Sequence, residues 1–151
     1  MHLAEINIAR LKHDIDDPRV SEFADNIARI NALAERAEGF VWRNEAETSG
    51  PIQGDARMIA TISVWETVEQ LDRFVFGTLH RRFFDKRHAW FDMLDRMGVA
   101  MWWVAPGTQP SLTEALDRLD HLDTHGPSET AFGWEHLAPQ PFRAKVLEAA
   151  Q

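Results

Sequence analysis

The chain opens with side chains that alternate between apolar and polar with a period of two. Over residues 3–11 the apolar positions are Ala4, Ile6 and Ile8, and the polar positions between them are Glu5 and Asn7. This period predicts a β-strand with one buried face. Residues 57–65 repeat it: one apolar face holds Met58, Ala60, Ile62 and Val64, and a mixed face holds Ile59, Thr61, Ser63 and Trp65. The mixed face predicts that the two sides of this strand lie in different environments.

Three segments change to helical spacing. The first begins at Asp17 and Pro18, typical N-cap and N1 residues, and ends at Gly39; its apolar positions are Val20, Phe23, Ala24, Ile27, Ile30, Ala34 and Ala37. The second begins with capping-box spacing over residues 67–70 and carries Val68, Leu71, Phe74, Val75 and Leu79. The third begins with a capping box over residues 111–114, ends at Gly126-Pro127, and buries Leu112, Ala115, Leu116, Leu119 and Leu122.

Two shorter apolar segments complete the pattern. Residues 40–45 predict a strand with Phe40 and Trp42 on one face, and residues 99–105 predict the last strand. Residues 46–56, with two glycines and a proline, predict a loop. The order β-α-β-β-α-β, followed by a helix and a tail, predicts an α+β, ferredoxin-like fold with an antiparallel four-stranded sheet. At this length we expect one domain over residues 1–151, with a core of 1–107 and a C-terminal helix and tail over 108–151.

The predicted sheet also suggests an assembly. Helices on one face of an antiparallel sheet leave the other face bare, and an apolar face of that kind is commonly covered by a partner. We therefore expect a homodimer formed through the sheet.

Composition narrows the function. The 151 residues contain no Cys, which excludes disulfides, thiolate metal sites and thiol nucleophiles. The net charge of −8 argues against nucleic acid or an anionic membrane as the partner. No apolar run approaches a membrane span, and the N-terminus lacks the pattern of a signal peptide, so we expect a cytoplasmic protein.

Several short motifs together resemble a known family. They are Gly-Phe-Val-Trp-Arg at 39–43, Ser-Val-Trp-Glu at 63–66, residues 74–80, Trp90-Phe91, Trp-Trp-Val-Ala-Pro-Gly at 102–107 with Pro110, and Gly-Pro-Ser at 126–128 with Ala131-Phe132. In this combination the sequence resembles the DUF3291 family over nearly its whole length. That family is similar to the dimeric α+β barrel superfamily, in which two ferredoxin-like sheets pack face to face.

The resemblance implies a range of activities. The superfamily includes cofactor-free oxygenases of the antibiotic-biosynthesis type, isomerases and haem proteins, so the fold alone does not select one. Residues 63–66 with His80 are similar to the corresponding strand and helix of monooxygenase-like members, and some haem-binding relatives carry an axial His on that helix. The spacing from Trp65 to His80 differs from theirs. The resemblance therefore implies a cofactor-free pocket first, with haem as the alternative.

Aromatic and basic residues cluster in the second half of the chain. If residues 80–91 are helical, His80, Phe84, Arg87 and Phe91 line one face. One imidazole and one cation among aromatics is a common composition for a small-molecule site. We expect the remaining walls from Trp65, Glu66, Trp90 and Trp103. Simple packing of these aromatics in the core is the alternative.

Two of these residues are candidates for chemistry. His80 can act as an acid or base near neutral pH, or ligate a haem iron as the proximal residue, although a structural histidine is the commoner outcome. Arg87 can hold an acidic group of a ligand, or pair with Asp85 or Glu66. The leading hypothesis is thus a monooxygenase-like enzyme for an aromatic or polycyclic molecule. The others are a haem protein and a non-catalytic binding or stress-related protein.

Two further patterns are weaker. His121 and His125 stand one helical turn apart, which permits metal chelation, but a solvated helix face explains them as well and we expect no metal site. Trp134, Glu135 and His136 are candidates to fold over the pocket mouth. The Gly-x-Ser-x-Gly, Walker and Gly-x-Gly-x-x-Gly motifs are absent, so the corresponding hydrolase and nucleotide chemistries have no support.

Overall fold

A computed structural model of the chain describes residues 1–45, 51–78 and 80–151. Four strands form one sheet: β1 (His2–Arg10), β2 (Phe40–Arg43), β3 (Met58–Trp65) and β4 (Val99–Val104). The helices are α1 (Ser21–Glu35), α2 (Val68–Gly77), α3 (His80–Asp85), α4 (Arg87–Trp90), α5 (Leu112–His125) and α6 (Pro141–Ala149). Short 3-10 turns cover Pro18–Val20 and Trp134–His136. In the described ranges, no helix is long and apolar enough to cross a membrane.

The sheet confirms the predicted fold. Its strand order is β2-β3-β1-β4, and each neighbouring pair is antiparallel. Ile6 of β1 pairs with Ile62 of β3 on one side and with Ala100 of β4 on the other, so the apolar sides of the three strands form one continuous face. The predicted N-caps are also present, since Thr67 and Ser111 each accept a hydrogen bond from the backbone N–H three residues later.

Helix α5 covers the apolar face of the sheet. Its buried residues Ala115, Leu119 and Leu122 pack with the apolar side chains of β1, β3 and β4. Trp102 is fully buried in this layer. The face that we expected to be bare is thus covered by α5 of the same chain. This removes the physical reason given above for a dimer formed through the sheet. The homodimer stays a prediction.

The opposite face of the sheet is packed only at its two ends. At one end Leu3, Trp65 and Met101 pack under α2 and the last turns of α1. At the other end Leu11, Val20 and Trp90 form a second small core. Between these cores the strands present Glu5, Asn7, Thr61 and Ser63, and α1 stands away from them. As a result only Ala34 of α1 is buried, and the apolar Phe23, Ile27 and Ile30 line a cavity instead of packing on the sheet.

Three local features differ from the sequence analysis. A β-bulge in β2 shifts the register, so Phe40 lies on the face of Trp65 and Trp42 lies on the other face with Val64. The alignment of His80, Phe84, Arg87 and Phe91 was conditional on one helix over 80–91, and the structure interrupts that helix at Lys86, whose backbone leaves helical geometry. The tail contains α6, a helix that the pattern analysis did not identify. Residues 46–50 of the predicted loop lie outside the described ranges. Leu79, which was assigned to the second helix, lies outside them too.

Candidate functional site

A cavity of about 720 Å³ lies between the sheet and the helices α1, α2, α3 and α6. We call it the main lobe. An adjoining side lobe of about 460 Å³ extends between α1 and the α3–α4 segment. His80, Phe84 and Arg87 line both lobes, so these three residues stand where the lobes meet. This size suits a small organic molecule.

A hydrogen-bonded row of side chains crosses the floor of the main lobe. The indole Nε1–H of Trp65 donates to Oγ of Ser63 at 2.9 Å, and the Ser63 hydroxyl donates to Oε1 of Glu5 at 2.9 Å. Glu5 and Ser63 are directly opposite each other in the β1–β3 register. Trp65 in turn stacks on Phe74 of α2, with ring centroids 5.2 Å apart. The sheet and α2 therefore hold this row in place.

The environment of Glu5 favours its protonated form. Burial among apolar groups raises the pKa of the Glu5 carboxyl from 4.5 to about 7, and the hydrogen bond from Ser63 offsets only part of that effect. A carboxyl group with a pKa near neutrality exists in both protonation states at neutral pH. Glu5 is thus a titratable group inside the cavity.

His80 is fixed at the start of α3. Its Nδ1 lies 3.1 Å from the carbonyl oxygen of Val75, and its ring lies against Phe74 with centroids 5.0 Å apart. A carbonyl only accepts, so Nδ1 carries the proton, and in the neutral ring Nε2 keeps its lone pair. Desolvation lowers the pKa of His80, and the hydrogen bond to Val75 opposes this only in part. His80 is therefore a neutral imidazole able to accept a proton at Nε2.

Arg87 does not pair with Asp85 or Glu66. Its guanidinium donates to the carbonyl oxygen of Phe84 at 2.7 Å and lies 3.9 Å from the centre of the Phe84 ring. Asp85 is bound by Arg81 instead, and no ion pair of Arg87 occurs among the described residues. A guanidinium held by one carbonyl and one ring retains further N–H groups for an anionic ligand.

Other charged residues line the main lobe in pairs. Arg43 of β2 is bound by Glu35 at 2.6 Å, and Arg143 of α6 is bound by Glu135 at 2.9 Å. Since these arginines have carboxylate partners, Arg87 is the cation with the greatest freedom to bind a ligand anion.

The structure brings together most of the residues singled out above. Trp65 lines the main lobe, Trp90 and Phe91 line the side lobe, and His80, Phe84 and Arg87 line both. Glu66 and Trp103 lie outside both lobes. Glu66 is an exposed residue after the end of β3, and Trp103 is 42% exposed and packs on Phe132.

Several cavity residues escaped the sequence analysis. Glu5 was assigned only to the polar face of a strand, and the register that places it opposite Ser63 cannot be read from one strand alone. Helix α6 contributes Arg143, Val146 and Leu147 to the main lobe. A proline in its first turn and its apolar positions were signals for this helix. Trp134 and Glu135 do line the lobe, as the candidate role at the pocket mouth requires.

The second histidine pair lies elsewhere. The rings of His121 and His125 are 4.6 Å apart on α5, on the other side of the sheet from the cavity. Within the described parts of the chain, no group of three or more His, Asp or Glu residues is arranged to hold a metal ion.

Two solved structures share this fold at low sequence identity. The NE2512 protein of unknown function from Nitrosomonas europaea has a TM-score of 0.52 and 12% identity, covering 73% of this chain and 95% of that chain. SnoaB, a cofactor-independent oxygenase from Streptomyces nogalater, has a TM-score of 0.50 and 16% identity, covering 73% of this chain and 98% of that chain. At these identities the likeness supports the fold expected from the resemblance, and only the fold.

Sequence comparison gives the family. No curated protein matches the chain significantly. The profile of DUF3291, described as a domain of unknown function, matches residues 2–148. The match extends from the first strand through α6, so it includes every element that surrounds the cavity. The chain therefore belongs to the DUF3291 family.

Proposed function

We propose that the chain binds a small aromatic or polycyclic molecule in the main lobe and acts on it as a cofactor-independent, monooxygenase-like enzyme. The observation that carries the proposal is the neutral imidazole of His80, which lines an aromatic-rich cavity and whose Nε2 has no hydrogen-bond partner among the described residues. A neutral base in a largely apolar cavity can take a proton from a bound phenol or enolisable ketone.

The reaction follows from that proton transfer. His80 Nε2 accepts the proton of the bound molecule, and the resulting anion is electron-rich enough to react with molecular oxygen directly. In the balanced reaction, one methylene group of the substrate and one molecule of dioxygen give one carbonyl group and one molecule of water. One oxygen atom forms the new carbonyl group, and the other leaves as water with the two hydrogens of the methylene group. The substrate carbon supplies all the electrons, so the reaction needs no external reductant.

Arg87 is proposed as the anion clamp. Arg87 lines both lobes, as His80 does, and its N–H groups can bind the oxyanion that forms when His80 removes the proton. The ring and carbonyl of Phe84 hold it in position.

The likeness to SnoaB supports the compatibility of this fold with the proposed reaction class. That protein is described as a cofactor-independent oxygenase, so the fold is compatible with such chemistry. The assignment of His80 and Arg87 rests on the geometry of this chain.

The experiment is oxygen uptake with a panel of polycyclic phenols and enolisable aryl ketones, with product analysis by mass spectrometry in labelled oxygen. We expect at least one compound to bind and to gain one oxygen atom, and His80→Ala to abolish turnover. The matched control is His125→Ala, which removes an exposed histidine on the far side of the sheet. Failure of every compound to bind would overturn the proposal, and equal turnover in the two variants would remove His80 from it.

Haem binding is a second candidate, favoured by one observation. A histidine that ligates a metal through Nε2 commonly donates Nδ1–H to a carbonyl, as His80 does to Val75. His80 would ligate the iron and Arg87 would bind a propionate, and the group would supply redox chemistry when bound. Titration with haemin tests this: a saturable Soret shift lost in His80→Ala supports haem binding, and no shift rejects it.

A further inference from the structure

Glu5 occupies the centre of the cavity floor. It lies in the middle of β1, between β3 and β4, with Ser63 and Met101 as its cross-strand partners. The side chain points to the face that lines the main lobe. For packing alone, an apolar residue would serve better than a carboxyl group at this position of a central strand.

The hydrogen bonds on this floor fix the position of the proton on Glu5. An indole nitrogen only donates, so Ser63 Oγ accepts from Trp65, and the Ser63 hydroxyl donates its single proton to Oε1 of Glu5. Oε1 is therefore an acceptor. In the neutral carboxyl group the proton resides on Oε2, for which the described residues supply no hydrogen-bond partner.

No cation neutralises Glu5 among the described residues. The charged or titratable groups that share its cavity are Arg43, His80, Arg81, Asp85, Arg87, Glu135 and Arg143. Arg43, Arg81 and Arg143 have carboxylate partners, and Arg87 and His80 are bound to carbonyl oxygens. The carboxyl thus meets apolar surroundings and one hydroxyl, which accounts for the raised pKa described above.

We propose that Glu5 is a specificity-determining residue, whose Oε2–H donates a hydrogen bond to a carbonyl oxygen of the bound aromatic molecule. The inference rests on the proposed function, since it concerns the ligand of the same cavity, and it narrows that ligand to aryl ketones and related aromatic carbonyl compounds. In the proposed reaction the same hydrogen bond would stabilise the enolate oxygen formed when His80 removes a proton.

The test uses two probes of nearly equal shape. 2-Acetylnaphthalene has a carbonyl acceptor, and 2-ethylnaphthalene has a methylene group at the same place. Binding is followed by quenching of tryptophan fluorescence at about pH 6, where Glu5 is mainly protonated, and at about pH 9, where it is ionised. We expect the ketone to bind about tenfold more tightly than the hydrocarbon at the lower pH, and this preference to disappear at the higher pH.

Two variants distinguish the effect of the hydrogen bond to the ligand from the effect of Glu5 titration. Glu5→Gln keeps an acceptor for Ser63 and a donor for the ligand but does not titrate, so the ketone preference should persist at both pH values. Glu5→Leu combined with Ser63→Ala and Trp65→Phe removes the carboxyl, hydroxyl and indole donors of the floor, so the two probes should bind equally. The infrared C=O stretch of the bound ketone gives a direct readout: it should shift to lower frequency in wild type and Glu5→Gln, and not in the triple variant.

The outcomes are distinguishable. If both probes bind equally to the wild-type protein at both pH values, the role of Glu5 is overturned while the aromatic site stands. If neither probe nor any compound of the panel binds, the proposed function fails and this inference fails with it. The wild-type measurements at the two pH values test the role of Glu5 even if a variant does not fold.

Discussion

The carboxylate of Asp72 on α2 accepts a hydrogen bond from the backbone N–H of Phe142, 70 residues further along the chain, at 2.9 Å. Its second oxygen accepts from the backbone N–H of Arg143 at the same distance. Asp72 is fully buried. One carboxylate thus satisfies two of the free N–H groups in the first turn of α6 and fixes on α2 a helix that itself buries no residue completely.

Removing this carboxylate should release α6. We expect Asp72→Ala to lower the free energy of unfolding by about 1–3 kcal/mol, because two partly buried N–H groups lose their charged acceptor. Since α6 lines the main lobe, affinity for 2-acetylnaphthalene should fall as well. Chemical denaturation and fluorescence titration measure the two effects. Asp117→Ala, at an exposed position of α5, is the control and should change neither.

Glu5 should make stability depend on pH in a defined window. Its pKa is raised from 4.5 to about 7, so the folded state retains a proton that the unfolded state has lost between these values. The wild-type protein should therefore lose stability relative to Glu5→Gln as pH rises from about 4.5 to about 7, by about 3 kcal/mol, and the difference should stay constant above that range. Urea unfolding at several pH values measures this. A difference that does not change with pH contradicts the burial of the carboxyl.

Neighbouring residues of β3 should respond differently to the same enlargement. Thr61 faces the cavity and Ile62 is buried under α5. We expect Thr61→Phe to fold normally and to block ligand binding, because the ring enters existing space. Ile62→Phe should destabilise the protein by about 1–3 kcal/mol, because it overfills a packed layer. Similar destabilisation by both variants would mean that the lobe is closed in solution.

The homodimer predicted above is tested by light scattering across a range of concentrations. A dimer gives a mass of twice 17.3 kDa. Since α5 covers the face on β1, β3 and β4, such a dimer must use another surface or displace α5. A mass of 17.3 kDa that does not change with concentration would reject it.

Short-range patterns were sufficient for most of the secondary structure. The alternation in residues 3–11 and 57–65, and the caps at Thr67 and Ser111, depend on neighbouring residues only, so each can be read locally. The bulge that separates Phe40 from Trp42 and the interruption at Lys86 were not predicted. Both are small backbone changes that carry no strong local sequence signal.

The site was only partly predictable for the same reason. His80, Phe84 and Arg87 are close in sequence, and one short helical segment was enough to suggest that they lie together. Trp103 was grouped with them by residue type, but in the edge strand β4 it is half-exposed and packs on Phe132. Glu5 is 58 residues from Ser63, and its importance appears only when the two strands are paired.

Periodicity and residue type are local properties, and they were enough to predict the order of the elements, the antiparallel α+β architecture and the aromatic character of the candidate site. Three features required the folded chain: α5 covers the sheet, Asp72 fixes α6, and α1 stands off the sheet to leave a cavity. These features depend on contacts between residues far apart in the chain. The same contacts place a carboxyl and an imidazole, both with perturbed pKa values, in one cavity.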